Sequence, residues 1–419
     1  MSYRKLLRKL LGVASVFGFA GLLASSAFAA DTIRIAYIDP LSGPFANTGN
    51  AGAKQFLYVA ELINENGGIL GKQIEIIPYD NKTSPQESLQ ILRQVADEGI
   101  QYITQGNGSH VAGALIEGVN KHNARNPDSP ILYLNYAAVN PDFTNEGCSF
   151  WHFRFDAHSG MKLQAITDYM AEQESIKKVF LLNQDYSHGQ AVSRIAKEML
   201  AMKRPDIEIV GDVLHPIGKV KDFSPYVSQI RASGADTIIT GNWGNDLALL
   251  VKASNDAGLD VNYQTFYGAL TGTPTAIGEA GAGKVKVVTE YQENLPVRYD
   301  ARELEQFYTA FKERFPEIEP LGRINTEMYM LAKAMEKAGS TDPQQVAMAL
   351  EGLEMDAPLG PVRMRTLDHQ LIQPLFISTF TKDYLKYDTE GTGLGWKMDV
   401  KIDAGDTEVP TVCEMKRPT

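Results

Sequence analysis

The stretch Gly278-Glu279-Ala280-Gly281-Ala282-Gly283-Lys284 has the glycine and lysine spacing of a phosphate-cradling loop. Such a loop needs a Ser or Thr after its lysine to hold magnesium, and a strand before it. Here Val285 takes the hydroxyl's place and the segment precedes a strand, so it reads as a helix end and a turn. Gly106-x-Gly108 follows a short apolar run but lacks the third glycine of a dinucleotide fingerprint. The 7 histidines show no zinc-protease spacing, and neither of the 2 cysteines belongs to a paired metal motif. No serine sits in a nucleophile elbow. Nothing here points to an enzyme, a cofactor or a metal centre.

What remains is a series of small polar turns, each placed after a short apolar strand. Ile33–Ile38 is a β-branched run ended by Asp39-Pro40, and Leu41-Ser42-Gly43-Pro44 then offers a hydroxyl and free backbone donors. From Ala53 the apolar residues Phe56, Leu57, Ala60 and Ile63 fall at helical spacing, Asn64–Gly68 stops the helix, and Gln73–Asp80 is the next strand. Ligands of open α/β sheets bind at such turns beyond strand C-termini. Ser84-Pro85-Gln86-Glu87 reads as a helix start, and Ile100–Thr104 and Ile131–Leu134 as buried strands. They open into Gln105–His110 and Asn135–Pro141. A second series has strands at Lys178–Leu182, Ile207–Leu214, Asp236–Thr240, Tyr263–Tyr267 and Lys284–Thr289. Its helices are expected at Ala191–Met202, Pro225–Ala232 and after Gly241–Asp246. Strand and helix alternate in both series, which argues for parallel sheets with right-handed crossovers. The tail adds strands at Val362–Thr366 and Leu375–Thr381.

Residues 1–30 carry Arg4, Lys5, Arg8 and Lys9, then an apolar stretch from Leu10, then Ala27-Phe28-Ala29, a small-x-small cleavage site. They read as a secretory signal peptide, the competing membrane anchor being disfavoured by the shortness of the apolar core. All 51 acidic residues but only 36 of the 40 basic ones lie beyond it, a net charge of −15. That charge disfavours nucleic acid and anionic membrane as partners. The remaining 389 residues exceed one ordinary core, so two domains are expected. Cys148 and Cys413 in an oxidising compartment allow one disulfide or two buried thiols.

Taken together, Ile35–Gly43 with Phe45–Gly49, Asn64–Gly71, Asp80-Asn81, Lys221-Asp222-Phe223-Ser224 and Ala253–Leu259 resemble the periplasmic solute-binding proteins of branched-chain amino-acid-type ABC importers, the Leu/Ile/Val-binding protein family. The resemblance runs over most of the mature chain. It implies an α/β, type I periplasmic binding fold: two Rossmann-like lobes joined by three hinge crossings, near Arg154–Asp156, Val288–Tyr291 and Leu371–Pro374. Lobe 1 would comprise 31–154 plus 290–372, and lobe 2 155–289 plus 373–419. The implied partners are a small solute, an inner-membrane permease and its ATPase. The protein would be a monomer that delivers the solute by hinge closure.

The resemblance also implies a site. A ligand carboxylate would meet the first lobe at Ser109-His110 and Ala138–Asn140, where helix-end amides favour an anion. The competing readings are a plain helix N-cap for Ser109 and a solvated loop residue for His110, which stands where the family often has serine. Ser42 and Phe45 would edge and roof the cleft, and Tyr186, His188, Trp243 and Tyr267 would close it, Trp243 alternatively being plain core. The family's ammonium-pairing acid is missing, since Phe266–Thr271 contains Leu270 and no carboxylate, and Asp156–Gly160 offers only Asp156. An ammonium stripped of water without an anion is costly. An aromatic or other organic acid is therefore the expected ligand, with a branched-chain or other apolar amino acid as alternative. A periplasmic sensor feeding a signalling partner is the alternative class.

Overall fold

The β-branched run Ile33–Ile38 becomes the second strand of a parallel sheet. A computed structural model describes residues 32–418; the signal-peptide reading of 1–30 lies outside the described residues. The first lobe is built from β1 (Ile33–Asp39), α1 (Ala46–Glu65), β2 (Ile74–Asp80), α2 (Pro85–Asp97), β3 (Tyr102–Gln105), α3 (Ser109–Arg125), β4 (Leu132–Asn135) and β5 (His152–Arg154). The strand order is β2-β1-β3-β4-β5, and every pairing is parallel. Ile35, Ala36, Tyr37 and Ile38 are fully buried, since helices cover both faces of the sheet. Pro78 is tolerated because β2 is an edge strand with one side free of partners.

The second lobe follows with α4 (Ser159–Ala171), β6 (Lys178–Gln184), α5 (Ser187–Lys203), β7 (Glu208–His215), α6 (Ser224–Ser233), β8 (Thr237–Thr240), α7 (Asn245–Asp256), β9 (Asn262–Thr265), α8 (Thr273–Ile277) and β10 (Val285–Thr289). The chain then returns to the first lobe through α9 (Leu295–Arg298), α10 (Arg302–Arg314), α11 (Gly322–Ala338) and α12 (Pro343–Leu350). Phe307, Phe311, Met328, Leu331 and Val346 share one core with Ile35, Phe56 and Phe153, which fixes these helices to the first sheet. A small sheet follows, β11 (Glu354–Ala357), β12 (Gly360–Met364) and β13 (Leu371–Ile372). The chain then crosses again to β14 (Leu375–Thr381) and β15 (Gly395–Ile402), which complete the order β15-β14-β10-β9-β8-β6-β7.

Two of the crossings are bound side by side. Arg154 N–H donates to His369 O at 2.9 Å, and its fully buried guanidinium donates to Gln370 Oε1 at 2.7 Å and Asn140 O at 2.6 Å. Gln373 Nε2 donates to Phe155 O at 2.7 Å. Burial lowers the Arg154 pKa to about 9, which still leaves it charged at neutral pH.

Past β15 the chain departs from the expected division. The sequence reading placed 373–419 in the second lobe, but the last residues lie on the first. Cys413 is joined to Cys148 by a disulfide, with Cα atoms 5.7 Å apart. Val412 N–H donates to Asn145 Oδ1 at 2.7 Å, and Arg417 pairs with Glu351 at 2.6 Å.

Candidate functional site

The C-terminal ends of the two sheets face one another across a small internal cavity. From the first lobe it is lined by Gly106–Ser109, Ala137–Val139 and Arg323, and from the second by Tyr186, Trp243, Tyr267 and Leu270. The free space there totals some 300 Å³, part of it open to solvent, and the walls from the two lobes lie close together.

The first wall is set by Asp39, at the end of β1. Its carboxylate accepts the backbone N–H groups of Asn107 at 2.9 Å and Gly106 at 3.3 Å, and the Tyr136 hydroxyl at 2.5 Å. Burial pushes Asp39 up to about 6, against the lowering effect of these hydrogen bonds. The loop so held delivers Gly108, at φ +95°, as N-cap of α3. A glycine suits that left-handed φ, and no side chain caps the helix. The positive end and unpaired amides of a 17-residue helix therefore begin at the cavity wall.

The neighbouring loop is less available than the sequence implied. Ala138 and Ala137 N–H groups both go to Asn135 Oδ1, at 2.7 and 3.2 Å, and Asn140 N–H goes to Ser109 Oγ at 3.2 Å. Asn140 turns its side chain to the Asp142 N–H, and it lines an outer groove instead of the cavity. His110 also faces that groove, with Nε2 3.0 Å from Thr83 O. Burial lowers its pKa, and its ring meets Tyr186 edge-on at 5.4 Å.

The second wall is aromatic. Trp243 Nε1 donates to Tyr186 Oη at 2.8 Å, and its ring stacks on Phe45 of the first lobe at 4.1 Å. Phe45 thus buttresses the cavity from behind Trp243 and bridges the lobes. Tyr267 Oη reaches Ala137 O at 3.4 Å, a second contact between lobes. His188 does not line the cavity. The first turn of α5 buries it between Ser159 Oγ at 2.7 Å and Gly241 O at 3.1 Å, and burial drives its pKa down to about 3, so it is a neutral core residue. Ser42 is exposed and outside the cavity lining, donating to Asp80 Oδ2 at 2.6 Å.

Of the residues expected from sequence, the structure brings Ser109, Ala138, Tyr186, Trp243, Tyr267 and Leu270 to one cavity. It leaves out Ser42, Asn140, His110 and His188 and puts Phe45 one layer back. Sequence reasoning missed Arg323. Its backbone N–H and Nη1 both reach Glu290 Oε1, at 3.3 and 2.9 Å, and its Nε lies 3.7 Å from Asp156 Oδ2. Lys162 Nζ sits 2.8 Å from Asp156 Oδ1 and 4.8 Å above the Tyr267 ring. These two cations and two carboxylates are at most 5% exposed. The cations hold Glu290 below its usual range against the opposing effect of burial, whereas burial raises Asp156.

A family model for periplasmic binding proteins matches residues 32–384. The chain belongs to this family. Among its relatives, a Leu/Ile/Val-binding protein homolog 4 of Brucella abortus is 32% identical, covering 95% of this chain and 96% of the relative. A leucine-, isoleucine-, valine-, threonine- and alanine-binding protein of Brucella ovis, solved in a closed conformation, superposes at TM-score 0.81 with 30% identity, covering 93% and 100%. A solute-binding protein of Rhodopseudomonas palustris solved with 3,4-dihydroxybenzoic acid shares the fold at TM-score 0.75 and 21% identity, covering 89% and 98%. This type I periplasmic binding protein is accordingly a solute-binding protein and not an enzyme, and the family places it in the periplasm.

Proposed function

We propose that this binding protein captures a small organic acid, aromatic in the favoured case, and hands it to an inner-membrane permease and its ATPase as a monomer exported by a cleaved leader. The two lobes would part for entry and close about the three crossings, a selection of the closed state by the ligand. One observation carries the choice of ligand. The cavity is lined by Arg323 and by the uncapped start of α3, while both carboxylates beside Arg323 are already matched by buried cations. A ligand carboxylate finds donors at the uncapped start of α3. An α-ammonium would add a third positive charge to a sealed, balanced group, at a desolvation cost of several kcal/mol. Aromatic rings from Tyr186, Trp243 and Tyr267 suit a flat apolar body.

The names of the relatives favour a second reading, a branched-chain or other apolar amino acid. Calorimetric titration with leucine, valine, benzoate and hydroxycinnamate separates the two. Saturable binding of the acids, with leucine and valine silent, is the expected outcome. Tight leucine binding without response to the acids would overturn the proposal.

A further inference from the structure

Arg323 does more in this cleft than balance Glu290. Its side chain is only 4% exposed, it lines the cavity, and its Nε–H, 3.7 Å from Asp156 Oδ2, makes no hydrogen bond among the described residues. A sealed donor without an acceptor is costly and invites one. The guanidinium is also held firmly. Backbone N–H and Nη1 grip the same Glu290 oxygen from the first turn of α11, so its remaining donors sit at a set place in the wall. The charges around it already cancel, Arg323 and Lys162 against Glu290 and Asp156. A second ligand carboxylate would bring an unmatched negative charge into that group, whereas a neutral oxygen brings none.

Building on the organic-acid reading above, we propose that Arg323 is a specificity residue that donates to an uncharged oxygen on the ligand's body, remote from its carboxylate. The carboxylate takes the α3 end, and the guanidinium takes a phenolic hydroxyl or a carbonyl. The ligand class narrows to hydroxy- or oxo-substituted aryl carboxylates, with unsubstituted aromatic acids and dicarboxylates disfavoured. A site built to pair a polar group discriminates strongly against an analogue that lacks it.

The test is calorimetry on the full mature protein with benzoate, the ortho, meta and para hydroxybenzoates, and terephthalate. At least one hydroxy isomer is expected to bind roughly tenfold or more tighter than benzoate, and terephthalate weaker than that isomer. In Arg323→Met the preference should collapse to within about twofold. Because that change strands Glu290, the double variant Arg323→Met/Glu290→Gln removes one charge of each sign, and its thermal melt reports whether the fold survives. Equal affinity for benzoate and every hydroxy isomer overturns the role of Arg323 alone. So does a preference that persists in the folded double variant. Failure of every acid alongside tight leucine binding overturns the organic-acid reading itself.

Discussion

Glu327, on α11, is fully buried, with Oε1 accepting the Thr104 hydroxyl at 2.7 Å and Oε2 without a partner. Burial, reinforced by nearby Asp39, raises it from 4.5 to about 8. Between those two pH values the folded state holds a proton that the unfolded state has lost, so this residue's contribution to stability is full below pH 4.5 and declines as pH rises toward 8. Glu327→Gln removes that slope. Urea melts from pH 4.5 to 7 should show the variant gaining on the native protein by on the order of 2–3 kcal/mol across the interval. A difference flat with pH would contradict it. At this scale the aromatic and small cavity residues were legible because each follows a strand. Arg323 was not, yet it left a signal. A cation in the first turn of a helix opposes the helix dipole, and such a residue needs an anion close by, here Glu290. His188 misled for the opposite reason, since the close seating of α5 turned it inward.

That seating rests on glycine. A Cβ at Gly189 would lie 1.9 Å from Gln184 O, at the end of β6, and one at Gly49 would lie 1.8 Å from Pro40 O. Each helix therefore presses its first turns against the end of the preceding strand, where the cavity is built. Gly189→Ala should lift the start of α5, displace Tyr186 and with it Trp243, and cost about 2–3 kcal/mol in a denaturant melt. Ligand affinity should fall in the same variant, and an unchanged melt would show that the helix can shift freely. The same small residues hid the true start of α1. The helix begins at Ala46, ahead of the expected Ala53, because Thr48, Gly49, Ala51 and Gly52 are buried without forming a stripe of large apolar side chains. A Cβ at Gly52 would come within 2.5 Å of Tyr37 Oη. β15 escaped notice because only its first residues are fully buried, and nothing in its pattern marks it as a partner for β14.

Across the whole molecule, the alternation of strand and helix made both parallel sheets readable, because each crossover obeys a local period. The pairing of Cys148 with Cys413, 265 residues apart, had no local signal. It ties the tail to the first lobe, where β1 also begins just after Thr32. Both ends of the described chain therefore belong to the same half of the protein, which decides where an optical reporter can be attached. Dyes at Thr32 and Lys416 should keep a constant energy-transfer efficiency as solute is added, while a dye at Lys252, exposed on α7 of the other half, should change its distance to either end. A solute-dependent signal between the two ends themselves would mean that the tail had left the first lobe. A biosensor built by the usual fusion of fluorophores to the two termini would be blind to its own ligand.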